Sequence, residues 1–250
     1  MSELTSLTLT ELVKNIKEKK ISSSEITKAF IDRSEKSKKL NTYITEDFAS
    51  AIEKAKKFDW IVIKNDKNLG HGGNLKKALH ASFEDGADYA VEIHADGQYP
   101  PNNIIKAREM LLNDYDLITG SRFVNKSPYS EDGMPLIRHI TNKFMSFLTR
   151  LLVGVKLTEF HTGYKIFSKN FCEKTPYQKN SDNYLFSFEI ILQAAFFKLK
   201  YGEISISSSY EGYRQSCGYF DGFIYLLGNF RAIMLFFLAK LNIFKYKLFK

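Results

Sequence analysis

The pattern of apolar residues changes near Phe58, and that change limits the folds open to this chain. Before it, apolar residues fall at helical spacing. After it, short apolar strands alternate with helices. Thr8-x-x-Glu11 reads as a capping box ahead of Leu9, Leu12, Val13 and Ile16, which share one helical face. Ser22-x-x-Glu25 reads as a second, ahead of Ile26, Ala29 and Phe30. A third helix is expected from about Glu46 to Lys57, with Phe48, Ile52 and Ala55 inward, after an extended Thr42-Tyr43-Ile44.

Beyond Phe58 the expected order is a strand at Trp60 to Ile63, a glycine-containing loop at Asn68 to Asn74, and a helix to about Glu84. A turn at Asp85-Gly86 precedes a strand from Tyr89 to Ile93, and Pro100-Pro101 opens a helix that ends before Asp116. Leu117 to Gly120 is the next strand. Later come helices at about Pro135 to Leu152 and Phe186 to Lys200, then an alternating strand from Glu203 to Tyr210. This rhythm predicts an α/β fold with a mostly parallel sheet and helices on both faces, preceded by an all-helical segment. The expected domains are 1–58, 59–213 and 214–250.

Composition narrows the function. The formal charge of +8 suits nucleic acid, anionic lipid or phosphorylated small molecules. No basic stripe with interleaved aromatics and no zinc-finger or helix-turn-helix signature is present, so a nucleic-acid partner is not expected. Two cysteines, Cys172 and Cys217, make neither a disulfide framework nor a metal quartet, which fits a cytoplasmic chain. Met1 to Thr10 carry no apolar run of the leader type. The longest apolar run, Ala232 to Ala239, is far below the ~20 residues of a spanning helix, so no membrane crossing is expected.

The chemistry concentrates in His94-Ala95-Asp96-Gly97-Gln98-Tyr99-Pro100-Pro101, directly after an apolar strand. A carboxylate at the C-terminal end of a strand sits where open α/β sheets bind ligands, and hard oxygen donors there suit Mg²⁺ or Mn²⁺ on a diphosphate. A solvated turn with an ordinary Asp is the competing explanation. Upstream lies Asn68-Leu69-Gly70-His71-Gly72-Gly73-Asn74. Downstream lie Gly120-Ser121-Arg122 and Glu159-Phe160-His161-Thr162-Gly163-Tyr164.

These segments, in this order, resemble family 2 glycosyltransferases of the polyprenyl-phosphate sugar transferase kind, over residues about 60–213. The resemblance implies a GT-A-like sheet, a nucleotide-sugar donor, a divalent metal, and inverting displacement at the anomeric carbon onto a lipid phosphate or other acceptor. It makes Asp96 a catalytic metal ligand and places His94 where most members have the first Asp of an Asp-x-Asp motif. A neutral imidazole there can bind metal or a ribose hydroxyl but supplies no charge. Asn68, Gly70 and Gly73 are expected to bind substrate, as is Gln98, which follows the metal motif and would orient the same site, and Arg122 suits bidentate phosphate contact. His161, Thr162 and Tyr164 match the acceptor segment, and Glu189 matches an acidic position that would take a proton from a hydroxyl acceptor. Each has a plainer alternative: an ion-pair partner for Arg122, a core histidine for His161, packing for Tyr164, a helix N-terminal carboxylate for Glu189.

The pattern also breaks. Family members begin with strands that bind the nucleobase and ribose, and here helical sequence stands in their place, so the glycosyltransferase part is expected to be truncated. Leu9-Thr10-Glu11-Leu12, Ile21-Ser22-Ser23-Ser24-Glu25-Ile26 and Leu40-Asn41-Thr42-Tyr43-Ile44 resemble the N-terminal helices of glutamyl-tRNA amidotransferase, in its amidase-signature subunit. Downstream that signature is lacking. The chain therefore reads as a transferase impaired by truncation, with an inactive chimera or an interaction module as the alternative. From Gly222 to Lys250 there is no acidic residue, while Arg231, Lys240, Lys245, Lys247 and Lys250 alternate with Phe, Leu and Ile. That suits an amphipathic helix on the inner face of a membrane or, equally, a packed helix with a basic edge.

Overall fold

The computed structural model describes residues 4, 7, 9–36, 63, 65–94, 97–125, 127–210, 219–244 and 246–250. The expected third helix at Glu46 to Lys57, most of the strand expected at Trp60 to Ile63, and Asp96 lie outside the described residues. The chain divides into two units, Met1–Lys67 and Asn68–Lys250.

In the first unit, α1 spans Leu9–Lys17 and α2 spans Ser23–Lys36. The second capping box forms as its sequence requires. The Ser22 hydroxyl accepts from the Glu25 amide at 3.2 Å, and the Glu25 carboxylate accepts from the Ser22 amide at 2.8 Å. Leu12, Ile26 and Ala29 are buried, as the helical spacing requires.

The second unit opens with α3, Gly70–Glu84. The expected glycine loop is thus shorter than its sequence suggested, because Gly70 to Asn74 form the first turn of the helix. Its glycines answer a packing demand. A Cβ on Gly70 or Gly72 would overlap the carbonyl oxygen of Asp182 or Ser181, and the Gly73 amide donates to the Asp182 carbonyl at 3.2 Å.

Strand β1 (Tyr89–Glu92) is followed by a 3₁₀ segment, Pro101–Ala107, that runs into α4 (Arg108–Leu112). Then come β2 (Leu117–Ser121), α5 (Pro128–Glu131) and α6 (Leu136–Val153), which stops at Gly154 with φ of 79°. Strand β3 (Lys165–Ser168) leads directly into α7 (Lys169–Lys174). Last come α8 (Phe186–Phe196), β4 (Tyr201–Ser205) and α9 (Tyr219–Lys240).

The four described strands form one sheet in the order β1-β3-β2-β4. β2 and β4 pair parallel, with Thr119 opposite Glu203. β3 runs antiparallel to both β1 and β2, with Ile166 opposite Val91 on one side and Ile118 on the other. The fold is α/β as expected, and the expected mostly parallel sheet holds in part, because the described sheet is mixed. β1, β2 and β4 share a direction, and β3 returns between them. The sequence hid β3 because it is four residues long, contains Lys165, and leaves no turn before the following helix.

Period-two alternation sorts these strands between two cores. Leu117 and Phe167 join the larger cluster with Leu75, Leu79, Ile190 and Phe236. Their neighbours Ile118 and Ile166 face the opposite side, with Tyr99, Ala107 and Ile204. Helices therefore cover both faces. Every residue from Phe186 to Ala194 is buried, so α8 is the central helix of the larger cluster. α9 packs on α8 through Ala232, Ile233 and Phe236.

The expectation that no segment is long enough to cross a membrane also changes. Asp221–Lys240 is apolar enough and long enough by composition, with mean hydropathy 1.7, because isolated Gly and Asn residues do not interrupt the helix. A third of that window is buried inside the protein, and a core helix passes the same test.

Candidate active site at the strand ends

Because β1 and β2 point the same way, their C-terminal ends lie at one edge of the sheet, beside the start of the reversed strand β3. That edge gathers Glu92 and His94 from β1, Ser121 and Arg122 from β2, and Thr162, Gly163 and Lys165 before and on β3. It is the edge where open α/β sheets take ligands.

Glu92 is the hub on the β1 side. One oxygen, Oε1, lies 3.0 Å from His94 Nε2 and 3.4 Å from His71 Nε2. His71 reaches it from the first turn of α3, stacked on Tyr184 with ring centroids 5.4 Å apart, and also contacts the Ser187 hydroxyl at 3.2 Å. Burial pushes the His71 pKa down, partly opposed by Glu92, so the ring keeps a lone pair near neutral pH. These three side chains are a group that could hold a metal ion.

His94 sits directly over Gly163, whose added Cβ would overlap the imidazole. Its ring meets Tyr99 edge-on at 5.9 Å, and buried Tyr99 bonds the Thr162 side chain and the Gly163 backbone. The glycine in His161-Thr162-Gly163-Tyr164 is thus explained by close approach.

Arg122 does not face solvent. It is 3% exposed, and its guanidinium is held by Glu159 and by the Tyr210 hydroxyl. Burial alone would lower its pKa, but Glu159, Tyr99 and Tyr210 hold it well above the ordinary value. Glu159 carries no exposed surface, and sequence reasoning gave it no role. Its adjacency to the His161 segment was visible, but nothing in the spacing tied it to Arg122.

The other expected site residues are distributed as follows. Asn68 accepts from the Gly70 amide at 2.8 Å and so organises the start of α3. Gln98 is buried, and its backbone carbonyl accepts from the Ser209 amide at 3.0 Å. His161 is half-buried with Nδ1 3.0 Å from the Tyr225 hydroxyl, and desolvation pushes its pKa down to about 4. Tyr164 packs in the smaller core. Glu189 accepts from the Ser181 amide at 2.7 Å and the Ser181 hydroxyl at 2.8 Å. Burial raises the Glu189 pKa against those bonds. It fixes the loop that α3's glycines touch.

Lys165 stands opposite Glu92 in the ladder with no exposed surface. Burial pushes its pKa down to about 8, although Glu92 and Glu159 favour its charged form, and its ammonium donates to the Thr162 carbonyl. Sequence reasoning missed Lys165, Glu92 and His71 because a single charged residue in a short strand or a glycine loop carries no spacing signal.

The model of glycosyl transferase family 2 matches residues 8–175 of this chain. Over 159 residues the chain is 35% identical to UDP-N-acetylglucosamine--dolichyl-phosphate N-acetylglucosaminyltransferase of Methanococcus voltae, covering 63% of this chain and 62% of that relative. Over 59 residues it is 78% identical to a subunit of glutamyl-tRNA(Gln) amidotransferase of Pelagibacter ubique (strain HTCC1062), covering 24% of this chain and 12% of that relative. The chain thus spans less than two thirds of either. Glucosyl-3-phosphoglycerate synthase from Mycobacterium tuberculosis, in complex with uridine-diphosphate, aligns with a TM-score of 0.45 and 12% identity, over 78% of this chain and 65% of that one.

Proposed function

Because this chain belongs to glycosyltransferase family 2, we propose that it transfers a sugar from a nucleotide-sugar donor to a polyprenyl-phosphate acceptor. The supporting observation is the convergence of His94, Tyr99, Thr162 and Arg122 on one sheet edge, in a chain 35% identical to a dolichyl-phosphate N-acetylglucosaminyltransferase. The acceptor phosphate oxygen attacks the anomeric carbon and the nucleoside diphosphate departs, with inversion. An ionised phosphate needs no general base, so Glu189 serves here by holding the Ser181 loop. Arg122, paired with Glu159, holds the end of β2 in place beneath the donor phosphates.

In this reading Asp96 and His94 hold a divalent ion, Mg²⁺ or Mn²⁺. The imidazole at His94 favours Mn²⁺ of the two, and the second oxygen of Glu92, buried without a partner among the described residues, leaves donor capacity beside it. When bound, the ion supplies positive charge to the departing diphosphate. Donor affinity is weak, because amidotransferase-like sequence stands where family members recognise the base.

A membrane-facing acceptor fits two exposed apolar stripes. On α6, Ile137, Ile140, Phe144, Phe147 and Leu151 are exposed, and on neighbouring α9 so are Phe223, Leu227, Phe230 and Met234. Both stripes repeat at alternating three- and four-residue steps, which suits helices lying in a lipid interface.

The test is transfer of labelled sugar from UDP-N-acetylglucosamine, or another UDP- or GDP-sugar, to dolichyl phosphate in vesicles with Mn²⁺. Labelled lipid is expected. Its absence with every donor would favour a second reading, an inactive chimera or interaction module, for which the 78% identity of the N-terminal residues to the amidotransferase speaks.

A further inference from the structure

Two histidines and a buried carboxylate converge where the family motif predicts only one of them. His71 Nε2 and His94 Nε2 lie 3.4 and 3.0 Å from the same oxygen of Glu92, and one coordinating atom from each residue falls within 4.8 Å of the others. Ligands held ~2.0–2.2 Å from a tetrahedral ion are ~3.3–3.6 Å apart, so modest side-chain movement completes such a site. A second observation points the same way. Glu92 Oε2 is buried and has no hydrogen-bond partner among the described residues, in a side chain only 5% exposed, which is costly unless something positive binds there.

The three ligands are held by their surroundings. His71 is stacked on Tyr184, His94 is seated over Gly163 and against Tyr99, and Glu92 is fixed in the β1 ladder. Lys165, the cross-strand neighbour of Glu92, directs its ammonium to the Thr162 carbonyl. The histidine side chains remain 18% and 29% exposed, which leaves a path for an ion. In the bound state the ion replaces the contact between His71 Nε2 and Ser187.

We propose that His71, Glu92 and His94 form a three-ligand site for an imidazole-preferring transition-metal ion of the Zn²⁺ and Co²⁺ class. Two imidazoles and one carboxylate disfavour Mg²⁺, which demands oxygen donors. Three protein ligands leave a fourth position for water or a phosphate oxygen. His71 and Glu92 lie outside the family's Asp-x-Asp motif. The proposal goes beyond the transferase reading, because ion capture by these side chains requires neither donor nor acceptor; His94 is shared with the ion of that reading, so the two ions compete for one imidazole and are not held together.

The test is titration of the chelator-treated full chain with Co²⁺, followed by visible absorption. One equivalent is expected to give the intense bands of a low-coordinate site, displaced by Zn²⁺ and not by a large excess of Mg²⁺. Glu92→Gln and His71→Phe should each weaken Co²⁺ binding roughly tenfold or more with circular dichroism unchanged, whereas Asp96→Asn should retain it. His71→Phe preserves the stack on Tyr184, so it reports on ligation should Glu92→Gln misfold. Absence of a Co²⁺ spectrum, equal competition by Mg²⁺, or loss on Asp96→Asn with retention on His71→Phe would each overturn the proposal. Co²⁺ binding without sugar transfer would count only against the transferase reading, and Mg²⁺-supported transfer without Co²⁺ binding only against this one.

Discussion

Arg122 and Glu159 form a buried, two-pronged ion pair at the end of β2. Arg122 Nε donates to both carboxylate oxygens, at 2.9 and 3.1 Å, Nη2 donates to Oε1, and the Arg122 amide donates to Oε2 at 2.7 Å. A pair like this sets the geometry of the strand end even where its net contribution to stability is small.

Removing one partner is therefore far worse than removing both. Glu159→Gln leaves a buried guanidinium without its counter-charge and is expected to destabilise by about 3–5 kcal/mol. Arg122→Met with Glu159→Leu should recover most of that loss. Urea unfolding of the two variants decides it, and a Glu159→Gln change below about 1 kcal/mol would contradict the uncompensated-charge argument.

Gly163 acts as the seat of His94. Gly163→Ala puts a methyl group into the imidazole, and the ring, which is partly exposed, is the element able to move. The variant should keep its far-UV circular dichroism while the His94 ring resonances shift and Co²⁺ affinity drops by roughly tenfold. Unchanged resonances would show that the backbone yields instead.

Legibility followed sequence distance. Ser22 and Glu25, three residues apart, announced their capping box, and the helix at Leu136–Val153 was visible from its apolar spacing and its flanking Pro135 and Gly154. Pro100-Pro101 marked a helical start but could not reveal that its first seven residues are 3₁₀. The return strand β3 was hidden by its length. Within the site, His94 and Arg122 stood in recognisable segments, while the partners that decide their chemistry lie far away in sequence or off the motif. Glu159 meets Arg122 across 37 residues, and Glu92 differs from an ordinary strand residue only once β3 and α3 are folded against it.

The exposed stripe on α6 gives a direct membrane test. Phe144 and Phe147 are 60% and 54% exposed, so replacing both with Asp costs little packing. Phe144→Asp with Phe147→Asp should abolish co-sedimentation with anionic vesicles while leaving the urea midpoint nearly unchanged. Undiminished vesicle binding would assign that contact to α9 or remove it altogether.

His161 provides a pH signature. Burial lowers its folded pKa from 6.5 to about 4, so the folded chain holds the ring neutral where the unfolded chain takes up a proton. Stability is consequently greatest above pH 6.5 as far as this group is concerned, falls as the pH drops from 6.5 toward 4, and levels off below. The full effect is roughly 3 kcal/mol, from the size of the shift. Buried Glu189 and half-buried Glu203, whose pKa values are raised, act with the opposite sign as the pH falls, so the wild-type curve alone mixes these contributions. His161→Phe isolates the histidine. The difference in unfolding free energy between the two proteins should vary by roughly 3 kcal/mol between pH 6.5 and 4 and hardly at all above pH 7. A pH-independent difference would mean that the His161 ring titrates alike in the folded and unfolded chain, so that its surroundings in the folded chain do not hold it neutral.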